Sequence, residues 1–254
     1  MQVRIVKSGK KYSGMSMDSS LMLKYAFAKT IVQDEGFQDE ILWQSNLCFD
    51  NLDESSFLRE IAWVILTCGM KEAIIRNRFD AFSSCFFHWS SAQQITAERE
   101  NCESSALKIF NNRPKISAIL NAADHVTKIG FEKLKKKIQS DPINVLQMFD
   151  YIGPVTVYHL AKNIGLPVAK PDRHLVRIAQ QENYCDVQSF CGDISRLSGD
   201  SVPVVDIVFW RFATIDNDYL NVLSSLNGRE YVHNNNHHSS DQTYPYMHEF
   251  SMFQ

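Results

Sequence analysis

No C-x-x-C pair occurs in the sequence, and the six cysteines, Cys48, Cys68, Cys85, Cys102, Cys185 and Cys191, fall at uneven spacings, several within apolar stretches. That pattern argues against a zinc site or a disulfide framework and for reduced thiols packed as small hydrophobes. Long apolar runs are missing too: the longest, IAWVILTCGM, is too short to cross a bilayer and reads as a buried helix. The opening MQVRIVKSGKKYSG carries basic residues with no apolar segment behind them, so no secretory signal is read there. A cytoplasmic setting without a membrane partner is expected. Positive charge is not in excess. The net charge of −3 excludes a global basic field of the kind that binds nucleic acid indiscriminately. A DNA-binding role therefore needs a local basic face. Candidates are Lys133, Lys135, Lys136 and Lys137, the pair Arg76 and Arg78, and the pair Arg173 and Arg177. Each of these alone reads equally as a solvated helix face. Strand-like alternation is scarce, leaving room for a short β element only in residues 1–12 or 37–50.

What the chain does have is helical periodicity. Its 254 residues are 44% apolar and 22% charged, ordinary globular values. SLMLKYAFAKTIV, DESSFLREIAWVILTCGM and KEAIIRNRFDAFSSCFF carry apolar residues at helical spacing, the second behind acids and serines that favour a helix start. Shorter helices follow in SSAQQITAER and ESSALKIF. RPKISAILNAADHVTKIG begins with Pro114 in its first turn and stops at Gly130, and DPINVLQMF pairs the cap Asp141 with Pro142. DVQSFCGDISRL and VPVVDIVFWRFATI read as two later helices. The expected fold class is all-α, with a helical domain over residues 1–227 and a polar, flexible tail over 228–254. His233, His237 and His238 in that tail are better read as part of a disordered asparagine/histidine tract than as metal ligands.

The stretch YIGPVTVYHLAKNIGLPVAKPDRHLVRIA, within residues 141–180, carries the chemistry. A helix ending near Phe149, a tight turn and a second helix from Pro154 to about Asn163 make a helical hairpin. Gly153 supplies backbone freedom and Pro154 presets the first helical turn. The backbone N–H groups at IGPV, Ile152 to Val155, are then expected to point outward from a helix N-terminus, where they suit a phosphate oxygen. Gly165 ends the second helix, and Pro171 opens a third with Asp172 in its first turn, where the dipole favours a carboxylate.

This stretch resembles the helix-hairpin-helix motif and following aspartate of the helix-hairpin-helix (HhH-GPD) DNA glycosylase superfamily. The family's hairpin usually reads leucine-proline-glycine-valine/isoleucine-glycine. Here it is FDYIG, with Tyr151 in place of the first glycine and Gly153 as the second. A weaker similarity to bacterial 3-methyladenine DNA glycosylase I covers residues about 57 to 128, through CGMKEAIIRNRFDAFSSCF and IFNNRPKISAILNAADHV. That enzyme's glutamate is replaced by Val64, and its zinc-binding residues have no counterpart. The resemblance implies two helical lobes around a DNA-facing cleft, in a monomer acting on double-stranded DNA that contains a modified base.

On that resemblance Asp172 is the catalytic acid, stabilising the positive charge that develops on the sugar as the base leaves. Tyr151, Ile152, Gly153, Pro154, Val155, Thr156, Arg173 and Arg177 contact DNA. Bifunctional members carry a lysine where this chain has Val155, so monofunctional hydrolysis to an abasic site is implied. Cys185 and Cys191 alone cannot hold an iron–sulfur cluster. No cofactor is expected, beyond a monovalent cation that the hairpin carbonyls leave room for. Trp43, Gln44, Phe49, Asn77 and Arg78 are candidates for the base pocket or for a wedge filling the gap left by a flipped base. The base expected is bulky or unusual, such as glucosylated 5-hydroxymethylcytosine of phage DNA, which makes the activity antiviral. The alternatives are an alkylated-purine repair glycosylase of the 3-methyladenine type and a non-catalytic helix-hairpin-helix DNA-binding module.

Overall fold

The computed structural model describes residues 16–226, and among these every regular element is helical. The expected tail at 228–254 and the alternating QVRIV lie outside the described residues. The first helix, α1 (Met17–Asp34), starts at Ser16, whose side chain accepts the Ser19 N–H, and buries Leu21, Tyr25, Ala28 and Val32 along one stripe. Next comes α2 (Gln38–Asn46), followed by a 3₁₀ turn at Phe49–Asn51. Residues 37–50 are thus helical rather than β. Asp39 and Glu40 favour a helix start, and Ile41 and Gln44 share the buried side at i, i+3.

Eight helices follow: α3 (Glu54–Thr67), α4 (Glu72–Ser84), α5 (Ala92–Ala97), α6 (Arg99–Ile109), α7 (Arg113–Ile129), α8 (Phe131–Ser140), α9 (Pro142–Leu146) and α10 (Thr156–Asn163). Caps set their starts where the sequence has capping residues. Asp53 accepts the Ser56 N–H ahead of α3, and Asn112 accepts the Lys115 N–H ahead of α7 with Pro114 in the first turn. In α8 the residues Phe131, Leu134 and Ile138 face inward while Lys133, Lys136 and Lys137 are exposed. The last four helices are α11 (Arg173–Gln181), α12 (Val187–Ser198), α13 (Val202–Ile215) and α14 (Tyr219–Ser225), the last without an expectation from the sequence.

These helices surround two hydrophobic cores. The first runs from Phe49 to Ile164 and is built by α3 to α10, with Phe57 against Phe131 and Phe149 at ring separations of 6.0 and 5.7 Å. The second is assembled from distant parts of the chain: α1 and Ile41 pack with α11 to α14. Tyr25 meets Phe209 at 5.8 Å and Phe27 meets Phe212 edge-on at 5.9 Å.

The chain crosses between the cores twice, near Cys48 and near Gly165, and the two crossings lie on each other. Gly165 has φ +88, and a Cβ there would stand 2.5 Å from the Phe49 nitrogen and 2.7 Å from the Cys48 carbonyl carbon. Both obstacles are backbone, so neither can swing aside. Gly165→Ala should therefore cost more than about 2 kcal/mol of folding free energy, combining positive-φ strain with a backbone clash. Urea denaturation checks this, and a loss below about 0.5 kcal/mol would mean the crossings separate easily.

Candidate functional site

The hairpin between α9 and α10 is closed by its own side chains. Thr156 Oγ1 accepts the Gly153 N–H at 2.7 Å and donates to the Tyr151 carbonyl at 3.0 Å. The Ile152 N–H donates to the Phe149 carbonyl at 3.1 Å. Two of the amides expected to meet phosphate are therefore engaged inside the turn, and Pro154 has none to offer. Among the described residues, the N–H groups of Val155 and Thr156 meet no acceptor, and these two remain at the head of α10. The hairpin carbonyls of Phe149, Tyr151 and Gly153 accept bonds from the Ile152 N–H, the Thr156 hydroxyl and the Val157 N–H, which leaves each oxygen a second lone pair.

Backbone strain falls at Tyr151, not at Gly153. Tyr151 takes φ +65, whereas Gly153 keeps an ordinary φ. Lys115 stands over the Tyr151 ring, its ammonium 5.9 Å from the ring centroid while donating to the carbonyls of Leu66 and Cys68, each at 2.6 Å. Met148, Tyr151 and Val155 make an exposed apolar rim around the turn, and Ile152 anchors it from within the core. A shallow depression of ≈ 370 Å³, lined by Pro114, Ser117, Ala118, Asn121, Asp150 and Tyr151, lies on its α7 side and does not include Asp172.

From α10 a strap, residues 164–172, leads to α11. Asp172 is the N-cap of that helix rather than a first-turn residue, because its φ of −80° and ψ of 173° are extended. Its Oδ1 accepts the His174 and Leu175 N–H groups at 2.8 and 3.0 Å. Among the described residues no donor reaches Oδ2, and the side chain is half-buried. The result is one carboxylate oxygen fixed and the other available. Arg173 and Arg177 stand one turn apart on α11, both exposed. The Arg173 Nε lies 3.2 Å from His174 Nε2, and His174 Nδ1 lies 3.3 Å from the Tyr219 hydroxyl.

Beneath the strap runs a polar seam that the sequence reading missed. Asp206 of α13 is buried with Val204, Val205 and Phe209, and its Oδ1 pairs with Lys162 of α10, equally buried. Its Oδ2 accepts the Lys170 N–H at 2.5 Å. Glu60 of α3 accepts from Asn163 at 2.9 Å and from Arg59 at 2.5 Å, and burial raises its pKa above the usual carboxylate range. Val64, one turn after Glu60 on the same helix, is core. Burial, then the charges of Lys170 and Lys162, lower the His159 imidazole well below its ordinary value. Burial and Lys162 likewise lower the half-buried Lys170 amine, against the opposing pull of Asp172, Asp206 and Glu72. A lone acid inside the apolar run VPVVDIVFW was the one signal in the sequence: such a group must find a partner.

The five residues considered for a base pocket lie on α2, on the 3₁₀ turn after it and on α4. Gln44 is buried at the seam, donating to the Lys162 carbonyl at 3.3 Å, with its own carbonyl oxygen unpartnered. Phe49 is core under Gly165, and Trp43 is half-buried on α2. Asn77 and Arg78 are exposed on α4, where Arg78 reaches the Ile109 carbonyl at 3.4 Å. No described helix is long and apolar enough to cross a membrane. No protein-family model, curated protein or solved structure matches the chain.

The seam makes a stability test with a defined pH sense. Burial pushes the Asp206 carboxyl up, while the Lys162 charge and its hydrogen bond hold it down. A raised carboxyl binds its proton more tightly folded than unfolded, so ionised Asp206 costs stability above its folded pKa, and the cost fades as pH falls through that value. Lys162→Met removes the main opposing influence. It should destabilise by about 3–5 kcal/mol near neutral pH, and by less as the pH is lowered. Adding Asp206→Leu should restore most of the loss, read by urea denaturation at several pH values. A Lys162→Met penalty that stays constant with pH would mean Asp206 is not the charge left behind.

Proposed function

We propose that the protein is a monofunctional DNA glycosylase, which flips a modified base out of the duplex and hydrolyses its N-glycosidic bond to leave an abasic site. The observation that carries this reading is the place of Asp172: a half-buried carboxylate at the head of a helix, one strap away from a helical hairpin, where the chain passes from one core to the other. The left-handed Tyr151 adds support, since it meets the backbone demand of the motif's first glycine without being glycine.

In this mechanism the Val155 and Thr156 amides and the exposed Arg173 and Arg177 take phosphate oxygens, which position the duplex without reading its sequence. The unbonded oxygen of Asp172 stabilises positive charge on the deoxyribose as the bond to the base breaks. The base leaves with the bonding electrons, water adds at the sugar carbon, and the proton that water gives up passes by way of the Asp172 carboxylate to the departed base. Val155 offers no amine for covalent attack. The base class we propose is a bulky modified one, glucosylated 5-hydroxymethylcytosine being the first to try, in an antiviral role.

The deciding assay incubates the protein with duplexes bearing glucosylated 5-hydroxymethylcytosine, 3-methyladenine and other modified bases, then cleaves abasic sites with alkali. Asp172→Asn is the matched control, because asparagine caps a helix about as well as aspartate and the fold should survive. Base release should fall by about 100-fold or more with DNA affinity unchanged. Borohydride should trap no protein–DNA adduct with the native chain. Near-normal turnover in Asp172→Asn removes that residue from the mechanism, and a trapped adduct points to an amine nucleophile, Lys170 being nearest in sequence.

The DNA grip has its own test. Arg173→Ala should weaken damaged and undamaged duplexes alike and reduce the slope of log K against log salt by about 0.9. Gly153→Asp should weaken binding further, by placing negative charge beside the hairpin amides. The fold tolerates it, since Gly153 has ordinary φ and a Cβ there meets only Thr156 Oγ1 at 3.9 Å. Unchanged affinity and slope in both variants would remove the hairpin and α11 as the DNA-binding face.

A further inference from the structure

We infer that Asp206 and Gln188 are positioning residues that hold the strap, and through it Asp172, in fixed register with the hairpin. This rests on the glycosylase reading above for its functional consequence, though not for its geometry.

The strap has no helix or sheet of its own to hold it, and side chains of the second core satisfy its backbone instead. Gln188 of α12 accepts the Ala169 N–H at 2.9 Å through Oε1 and donates to the Ala169 carbonyl through Nε2. Asp206 of α13 takes the next amide, that of Lys170. The Lys170 carbonyl then accepts the Asp172 N–H at 2.8 Å, and Asp172 caps α11. Ala169, Lys170 and Asp172 are therefore each tied by a specific bond, and two of the three are held from α12 and α13.

Asp206 does more than hold the strap. Its other oxygen pairs with Lys162, and Lys162 lies in the last turn of α10, the helix whose first turn carries the Val155 and Thr156 amides. One carboxylate thus joins the helix proposed to grip phosphate to the segment proposed to carry the acid. A glycosylase needs that distance to be constant, because phosphate grip and sugar carbon are set by the same nucleotide. A misplacement of about 1 Å is enough to lose about 100-fold in rate.

Two matched double variants isolate the strap bond. K162M/D206N and K162M/D206L both remove the buried charges, but only the first leaves an acceptor for the Lys170 N–H. Gln188→Ala lies outside the ion pair and serves if either double variant fails to fold. Single-turnover base release and duplex Kd are measured for each, together with hydrogen exchange of the Lys170 amide by NMR. K162M/D206L should release base about 100-fold more slowly at unchanged Kd, and Gln188→Ala about 10-fold, whereas K162M/D206N stays within about threefold of the native chain. Exchange at Lys170 should quicken only in K162M/D206L. Equal rates in the two double variants, or a rate and affinity that fall together, overturn the inference while Asp172→Asn still reports on the activity. If the native chain releases no base from any duplex, the glycosylase reading fails alone. Amide exchange then decides the clamp: a Lys170 amide protected in K162M/D206N and exposed in K162M/D206L supports it, and no difference between the two overturns it.

Discussion

A carboxylate carried into an apolar helix must be neutralised where it lies, and Asp206 meets that demand with Lys162 and the Lys170 amide. Desolvating such a pair costs several kcal/mol per ion before their attraction is counted. Its value is therefore less in net stability than in specifying one arrangement. The carboxylate and its two partners belong to different parts of the chain: α13 in the second core, α10 in the first, and the strap between them. A core made of leucine and phenylalanine alone tolerates small slides at little cost. An ion pair with a further hydrogen bond does not, and the relation between hairpin and acid depends on it.

The hairpin shows the same principle at smaller scale. Holding Tyr151 at positive φ costs about 1–3 kcal/mol, and the turn offsets it locally. Thr156 satisfies both the Gly153 N–H and the Tyr151 carbonyl, while the Lys115 ammonium, bonded to the carbonyls at the end of α3, lies over the Tyr151 ring. What glycine provides as conformational freedom, this chain provides by surrounding a tyrosine with partners. The ring then stands on the exposed rim with Met148 and Val155, an apolar surface beside the free amides of α10.

Legibility followed the range of the interaction. Helices with strong caps and stripes were plain, and so were the ends marked by Asp53, Pro114 and Gly130, because capping and amphipathic spacing act within a few residues. Segment 37–50 was ambiguous since Ile41, Leu42 and Trp43 run together instead of recurring at helical spacing. The start of α11 was read one position early: Pro171 reads as a first helical residue, yet the Asp172 side chain occupies the cap and leaves the proline outside.

By itself the sequence determined the helical character of the described residues, a hairpin followed by an acid, scattered unpaired cysteines and the absence of a global basic field, all of which are local or compositional. Only the tertiary structure decided that the two ends of the described chain build one core while its middle builds another, that Phe49 is core and Gln44 buried at a seam, and that Lys162 meets Asp206. Those outcomes turn on pairings across many residues, where burial makes each polar group find a specific partner. No spacing along the chain encodes which partner that is.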